Sequence, residues 1–234
     1  MQTPSLGYKS TTVVRTADLK LGPDGKVQGT LHVSMTGSPA LAWRQRALRT
    51  DEDAIKKEFE KSIQDEVPTG VEVKTNHFLA LDEYDKILMA VLDVSGSMGT
   101  ATSKRVFLPA LFFEAGRKPL FVHEKRTTPI DLRYPYATQD SVVIHLPPSL
   151  VVESAPKDVE IPLPKNALYQ ATFKQEAGKL EIKRVFILAN SSYLVEEYSG
   201  LKDFYQKVNA KDQEQAVLQP VAGAAAGVSG GSSQ

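Results

Sequence analysis

The sequence predicts an α+β fold, predominantly antiparallel β, and three observations carry that prediction. Apolar residues alternate with polar ones in many short runs. Three helical patterns stand apart from these runs and do not alternate with them. Finally, 14 Pro and 15 Gly are spread along 234 residues, which favours short elements separated by turns. Strand runs without intervening crossover helices disfavour a doubly wound parallel sheet. The expected organisation is a flexible N-terminus at 1–11, a small α+β unit at 12–104, a β-sandwich-like unit at 105–219 that includes a C-terminal helix, and a disordered tail at 220–234.

The elements follow in order. Runs at 12–21 and 26–35 read as strands joined by Gly22-Pro23-Asp24-Gly25, a strong turn signal. In the second strand Leu31, Val33 and Met35 share one face and Thr30, His32 and Ser34 the other. Gly37-Ser38-Pro39 breaks the strand, and 40–48 predicts a short helix with Trp43 inward and Arg44 and Arg46 on more polar faces. A second helix starts with Thr50 as its N-cap, and Asp51, Glu52 and Asp53 lie at the positive end of its dipole. Ile55, Phe59, Ile63 and Val67 recur every four residues, so this helix lays one apolar stripe on a sheet. Pro68-Thr69-Gly70 ends it. Strands are then expected at 71–79, 86–94, 104–113, 140–146, 150–154, 168–175 and 180–188. The last two form a hairpin through Glu176-Ala177-Gly178-Lys179, and a closing helix covers about 199–211. The small, nearly featureless residues from Val221 to Gln234 cannot bury enough surface to offset their ordering entropy.

Composition excludes several functions. The 28 Lys+Arg balance 28 Asp+Glu, so no net field draws nucleic acid or an anionic membrane. The absence of Cys removes thiol catalysis, disulfides, thiolate zinc and iron–sulfur clusters. No window approaches the roughly 18 uncharged apolar residues of a membrane helix. The first residues lack a basic stretch followed by an apolar one, so no signal peptide is read.

The sharpest motif is Leu92-Asp93-Val94-Ser95-Gly96-Ser97-Met98-Gly99. Asp-x-Ser-x-Ser is the pattern by which a metal-ion-dependent adhesion site offers one carboxylate and two hydroxyls to Mg²⁺, a hard cation that prefers oxygen ligands. These eight residues resemble the opening of a von Willebrand factor A-type domain. However, about 85 residues precede the strand that carries the motif, and the Pro-broken β-rich run Arg105-Val106-Phe107-Leu108-Pro109 follows it where that fold has a helix. The alternative is a strand ending in a polar turn, and no metal ligand is assigned.

Other constellations are weaker. His32 and His145 lie mid-strand, and His77 and His123 lie at element edges. Ahead of the small-residue tail no Gly-x-Ser-x-Gly elbow marks a nucleophile, and no His-Glu-x-x-His offers a zinc site. Asp18, Asp24, Asp82, Glu83 and Asp85 offer carboxylates for acid–base work, but all fall in turns, where such groups are ordinarily solvated. His123-Glu124-Lys125-Arg126 and Arg133-Tyr134-Pro135-Tyr136 mix basic and aromatic residues like a stacking patch. In a neutral chain with interleaved acids, a structural rim is the better reading. No catalytic, cofactor-binding or metal residue is therefore assigned, and no cofactor is expected.

The order of several segments does resemble a family. Gly37-x-x-Ala40-Leu41-x-x-Arg44 comes first, followed by the helix opening at Asp51, Leu108-Pro109 and Arg117-Lys118-Pro119-Leu120-Phe121. Arg126-Thr127-Thr128-Pro129-Ile130-Asp131, Tyr134-Pro135-Tyr136, Asp140 to Pro147 and Glu196-Glu197-Tyr198 then complete the series. Over about 12–219 the chain resembles the C-terminal, non-catalytic region of bacterial transglutaminase-like multidomain proteins, which carry a papain-like Cys-His-Asp core. The resemblance implies an accessory module that flanks such a core or another protein. It also implies a periplasmic or extracellular place if the parent is exported. The core's catalytic residues have no counterpart here. A metal-dependent adhesion protein and a hydrolase with an uncommon serine or carboxylate site are the rival readings.

Overall fold

A computed structural model of the chain describes residues 7–221 apart from 103 and 117. Two ten-residue strands, β1 (Thr12–Leu21) and β2 (Lys26–Met35), open the fold. They are followed by α1 (Ser38–Ala47), α2 (Glu52–Gln64), β3 (Val71–Leu79) and β4 (Leu88–Ser97). Next come β5 (Thr100–Ala101), β6 (Val106–Pro109), β7 (Ile130–Asp131), β8 (Tyr136–His145), β9 (Leu150–Ser154) and β10 (Val159–Leu163). The chain closes with β11 (Ala167–Glu176), β12 (Lys179–Leu188), β13 (Ser192–Tyr193), α3 (Tyr198–Asp212) and β14 (Gln215–Pro220).

Eight strands make one sheet in the order β10-β11-β12-β8-β1-β2-β4-β3, and β5-β6-β14-β9 make a smaller one. Every neighbouring pair in the large sheet is antiparallel except β1 and β8, which run parallel at its centre. The long intervening chain permits that pairing, since parallel strands need a crossover of a dozen or more residues. The class is therefore mixed and mostly antiparallel, with three helices among the described residues.

The inner face of the large sheet carries the core. Ala17, Leu19 and Leu21 of β1 share it with Leu31 and Val33 of β2 and with Ala90 and Leu92 of β4. Three covers lie over it. The α2 stripe of Phe59 and Ile63 covers the β3–β4 end, Leu108, Leu150, Ala216 and Leu218 of the small sheet cover the middle, and α3 covers β10–β12. The last contact forms a second cluster, in which Leu201, Phe204 and Val208 meet Tyr169, Phe186 and Leu188. Edge strand β3 is protected by α2. The Gln64 amide donates to the Val71 carbonyl at 2.6 Å, and Glu60 accepts from the Thr75 N–H at 2.9 Å.

Several expectations are corrected. The division at 104/105 does not separate two sheets, because β1–β4 and β8, β10–β12 belong to one. The strands expected to build a sandwich-like unit at 105–219 divide between the large and small sheets. The strand at 104–113 stops at Pro109, and Ala110 to Phe113 continue as buried non-strand chain that fills the core. Asp51, not Thr50, caps α2: its carboxylate accepts from the Ala54 N–H at 2.7 Å. Arg44 is buried, not on a polar face. Strands β10 and β14 were not anticipated: β10 carries Glu160 and Pro162, and β14 follows α3 after only a short turn. Within the N-terminus expected to be flexible, Tyr8–Ser10 form a 3-10 turn and Thr11 is buried. Residues 1–6, and 222–234 of the expected tail, lie outside the described residues.

Candidate functional site

Side chains alternate across a strand, so residues in register on neighbouring strands form rows on each face. One row on the inner face is unusual. Val33, Arg15, Asp140, Arg184 and Ala171 lie side by side across β2, β1, β8, β12 and β11. Apart from Thr138, the residues two positions away from these three charges on their strands are apolar, and all three charges are at most 6% exposed. Burial of charge is tolerated only with compensation, and here it comes from the row itself and from the segments packed over it.

Arg15 grips Asp140 with a two-pronged contact, Nε to Oδ1 at 2.6 Å and Nη2 to Oδ2 at 2.7 Å. Its Nη2 also donates to Glu114 at 2.7 Å, and its Nη1 donates to Glu66, just past α2. Arg184 makes a second fork to Asp212 at the end of α3, with Nε and Nη2 each 3.0 Å from a carboxylate oxygen. Its Nη1 stands 3.5 Å from Glu114 and 3.7 Å from Asp140, which link the two forks. The Tyr169 hydroxyl donates to Asp212 at 2.8 Å, and the Arg15 guanidinium lies 4.5 Å from the centre of the Phe113 ring. Two guanidiniums thus face four carboxylates from the sheet, the chain after α2, the 110–116 segment and α3.

The electrostatics follow from burial. Burial alone would lower both arginines, but Asp140, Glu66 and Glu114 around Arg15, and Glu114 and Asp212 around Arg184, more than offset it. Both stay firmly cationic. The Asp212 carboxyl is pushed up, first by burial and also by Glu114, against the pull of Arg184. Tyr169 is pushed up by burial and by the adjacent Asp212.

A cavity of about 80 Å³ adjoins this cluster, lined by Arg184, Asp212, Glu114, Lys118 and Asn209 among others. Small-molecule sites are typically about 300–1,000 Å³, so a substrate has no room beside these charges. The arrangement clamps the covers to the sheet.

The structure scatters the sequence candidates. Asp93, Ser95 and Ser97 lie along β4, paired with β2 and β3, not on a turn. Alternate residues of a strand are about 6.6 Å apart, so Asp93 and Ser97 are separated by roughly 13 Å and cannot ligate one ion. The adhesion-site reading of this motif is therefore corrected. Its glycine has a sheet role: Gly96 sits at φ 118°, and a Cβ there would fall 2.3 Å from the Gly70 carbonyl oxygen. Asp93 instead accepts from the Asn76 amide at 3.3 Å.

His32 is exposed on the outer face, and His145 sits 3.2 Å from Asp18 at the surface. His123 lends only its carbonyl, to the Tyr198 hydroxyl. Asp24 accepts from the Lys26 N–H in its turn. Asp82, Glu83 and Asp85 are exposed in the β3–β4 connection, where Glu83 pairs with Lys86. The basic–aromatic stretch is no open stacking patch, because Tyr136 stacks on Phe186 in the second cluster.

Arg15, Asp140, Arg184, Glu114 and Asp212 were not anticipated as a cluster. The signal was the strand phase itself: reading Ala17-Leu19-Leu21 back to 15, Val142-Ile144 back to 140 and Leu180-Ile182 on to 184 places all three strand charges inward.

Residues 104–218 match the model of a family described as a Domain of Unknown Function with solved structure, DUF3858. No curated protein matches the chain. A crystal structure from Parabacteroides distasonis, described as a "putative protease", is similar at TM-score 0.41 and 12% identity, over 51% of this chain and 24% of that one. The chain thus spans well under two thirds of that protein. Among the described residues no helix is long and apolar enough to cross a membrane.

Proposed function

We propose that this chain is a non-catalytic accessory module that works by contact, flanking a transglutaminase-like, papain-like core or another protein partner. The observation that carries the reading is the state of its richest chemical cluster. The five charges that pack closest, Arg15, Arg184, Asp140, Glu114 and Asp212, are engaged with one another and at most 7% exposed, beside a cavity of about 80 Å³. Catalytic acids and bases act on substrates within hydrogen-bond reach, and a group committed to a closed ion network offers none. The resemblance of residues 12–219 to the non-catalytic region of such multidomain proteins supplies the class of partner.

The sheet adds a second support. Parallel strands are ordinarily buried on both faces, whereas the β1–β8 pair has its inner face covered and its outer face bearing exposed Asp18, Lys20 and Gln139. Such a surface suits a module that packs against another domain.

The test is a turnover screen of the full chain against peptide, amide, ester and γ-glutamyl substrates. It is run beside isothermal titration with a papain-like core from a transglutaminase-like protein. The reading expects binding and no turnover. Turnover that persists through purification and disappears in a single-residue variant would overturn it.

A further inference from the structure

A different part of the surface carries a second feature. Between α1, the start of α2 and the β3–β4 connection lies an open groove of about 580 Å³, within the usual range for a binding site. Ile55, Phe78 and Leu81 form its apolar wall, and Leu48 and Tyr84 stand on its rim with 76% and 54% of their surface exposed. Among the described residues, five of the ten large hydrophobics exposed to solvent lie on α1 or on the chain flanking this groove: Leu41, Leu48, Leu79, Tyr84 and Ile87. Solitary exposed hydrophobics are ordinary, but a concentration of them marks an interaction surface.

The polar groups say what kind of segment fits. Arg44 lines the groove and is 5% exposed. Its Nη2 donates to the carbonyls of Ala80, Glu83 and Lys86, which fastens the β3–β4 connection onto α1. Ala80 is held there at φ 58°, a conformation that costs a non-glycine residue energy and recurs at binding sites. The Arg44 Nε is buried with no hydrogen-bond partner, an expensive state that an incoming acceptor would relieve. Around it stand Asp51, Glu52 and Asp82; Glu52 pairs with Lys56 at 2.7 Å, and Asp51 and Asp82 still outnumber the single guanidinium, so the groove is anionic.

We propose that this groove binds an extended segment of a partner protein, one aliphatic side chain flanked by Lys or Arg. The aliphatic group seats against Phe78 and Leu81, the flanking cations meet Asp51 and Asp82, and a backbone carbonyl accepts from Arg44. Charge complementarity selects this occupant over an acidic segment. The proposal deepens the accessory-module reading, because it names the surface and the chemistry of its partner.

The experiment uses the full chain and two labelled hexapeptides, acetyl-Gly-Lys-Leu-Lys-Gly-Gly-amide and its counterpart with Glu in place of Lys, read by fluorescence anisotropy. The lysine peptide is expected to bind at least about tenfold more tightly. Asp82→Lys is expected to weaken it about fivefold at low salt, and Leu48→Ser to weaken it without changing the salt dependence. Both positions are exposed, so neither variant endangers the fold. On saturation the Arg44 Nε–H resonance is expected to shift. Equal affinity for the two peptides, affinity unmoved by both substitutions, or an unmoved Arg44 resonance overturns the proposal. So does self-association that Leu48→Ser abolishes, which would make the occupant a second copy. If a papain-like core binds Asp82→Lys and wild type equally well, the groove proposal falls and the module reading stands.

Discussion

Substitution of Arg15 by Met removes one cation and leaves Asp140 and Glu114, at most 6% exposed, without the guanidinium that grips them, and Glu66 without its Arg15 contact. Breaking a buried ion pair from one side costs about 3–5 kcal/mol, mostly the penalty of the stranded partner. A domain of about 150–250 residues loses roughly 2–4 °C per kcal/mol, so the melting temperature should fall by about 6–20 °C. The deficit should depend on pH with a definite sign. Stranded buried carboxylates have raised pKa values, so they are protonated at low pH and their cost grows as pH rises. The Arg15→Met deficit should therefore be larger at pH 8 than at pH 5, measured by far-UV circular dichroism melts. Asp140→Asn added to Arg15→Met should recover part of the loss, because it removes one stranded charge. A fall below about 2 °C at pH 8, or a deficit that shrinks as pH rises, would refute the assignment of this network as the clamp.

Further outcomes follow from the same geometry. Asp212 has its folded-state pKa raised by burial, so this group favours the fold below the unfolded carboxylate pKa and loses that contribution as pH rises through the folded value. In melts from pH 4 to 8, Asp212→Asn should remove that downward component even though it also weakens the Arg184 fork. Glu176, partly exposed beside the solvent-exposed Lys174, is lowered to about 2 by the hydrogen bonds and charges of Lys174 and Lys179. Its NMR titration should move toward the ordinary carboxylate range in 0.5 M salt, because screening weakens exposed pairs. Gly96→Ala should destabilise by about 1–3 kcal/mol through its positive φ and the approach of Gly70, whereas Asp93→Ala should stay within about 0.5 kcal/mol. Neither Mg²⁺ nor Mn²⁺ should raise the melting temperature in a manner that Asp93→Ala abolishes. Residues 105–221 produced alone should show no cooperative unfolding, since β8 would lose its neighbour β1 and Asp140 would lose Arg15.

Legibility in the sequence followed the range of the forces involved. The hairpins at 12–35 and 167–188 rest on local turn chemistry and strict alternation, and both were readable, as was the Ile55-Phe59-Ile63 stripe of α2. Sheet order was not, because nothing local tells β1 to pair in parallel with a strand 125 residues later. That single long-range pairing is what joins the front of the chain to the segment beyond 104. The Asp93 motif misled because its Ser and Gly residues look like a turn, while Gly96 is required by a close approach from β3 that only the folded sheet reveals. Arg44 was placed outward because a charge on a helix is ordinarily solvated; its burial depends on three carbonyls from a connection 36 or more residues away. The ion cluster was half legible: phase placed Arg15, Asp140 and Arg184 inside, but Glu114 and Asp212 arrive from a loop and a helix end whose positions follow from tertiary packing.

Hydrogen–deuterium exchange on the full chain, alone and with an added papain-like core from a transglutaminase-like protein, addresses the account most directly. It predicts slow exchange around Arg15, Asp140 and Arg184 in both samples, and new protection confined to surface elements when the core is present. Rapid exchange at the ion cluster in the free chain, or no protection anywhere on adding the core while the chain turns over a substrate unaided, would contradict it.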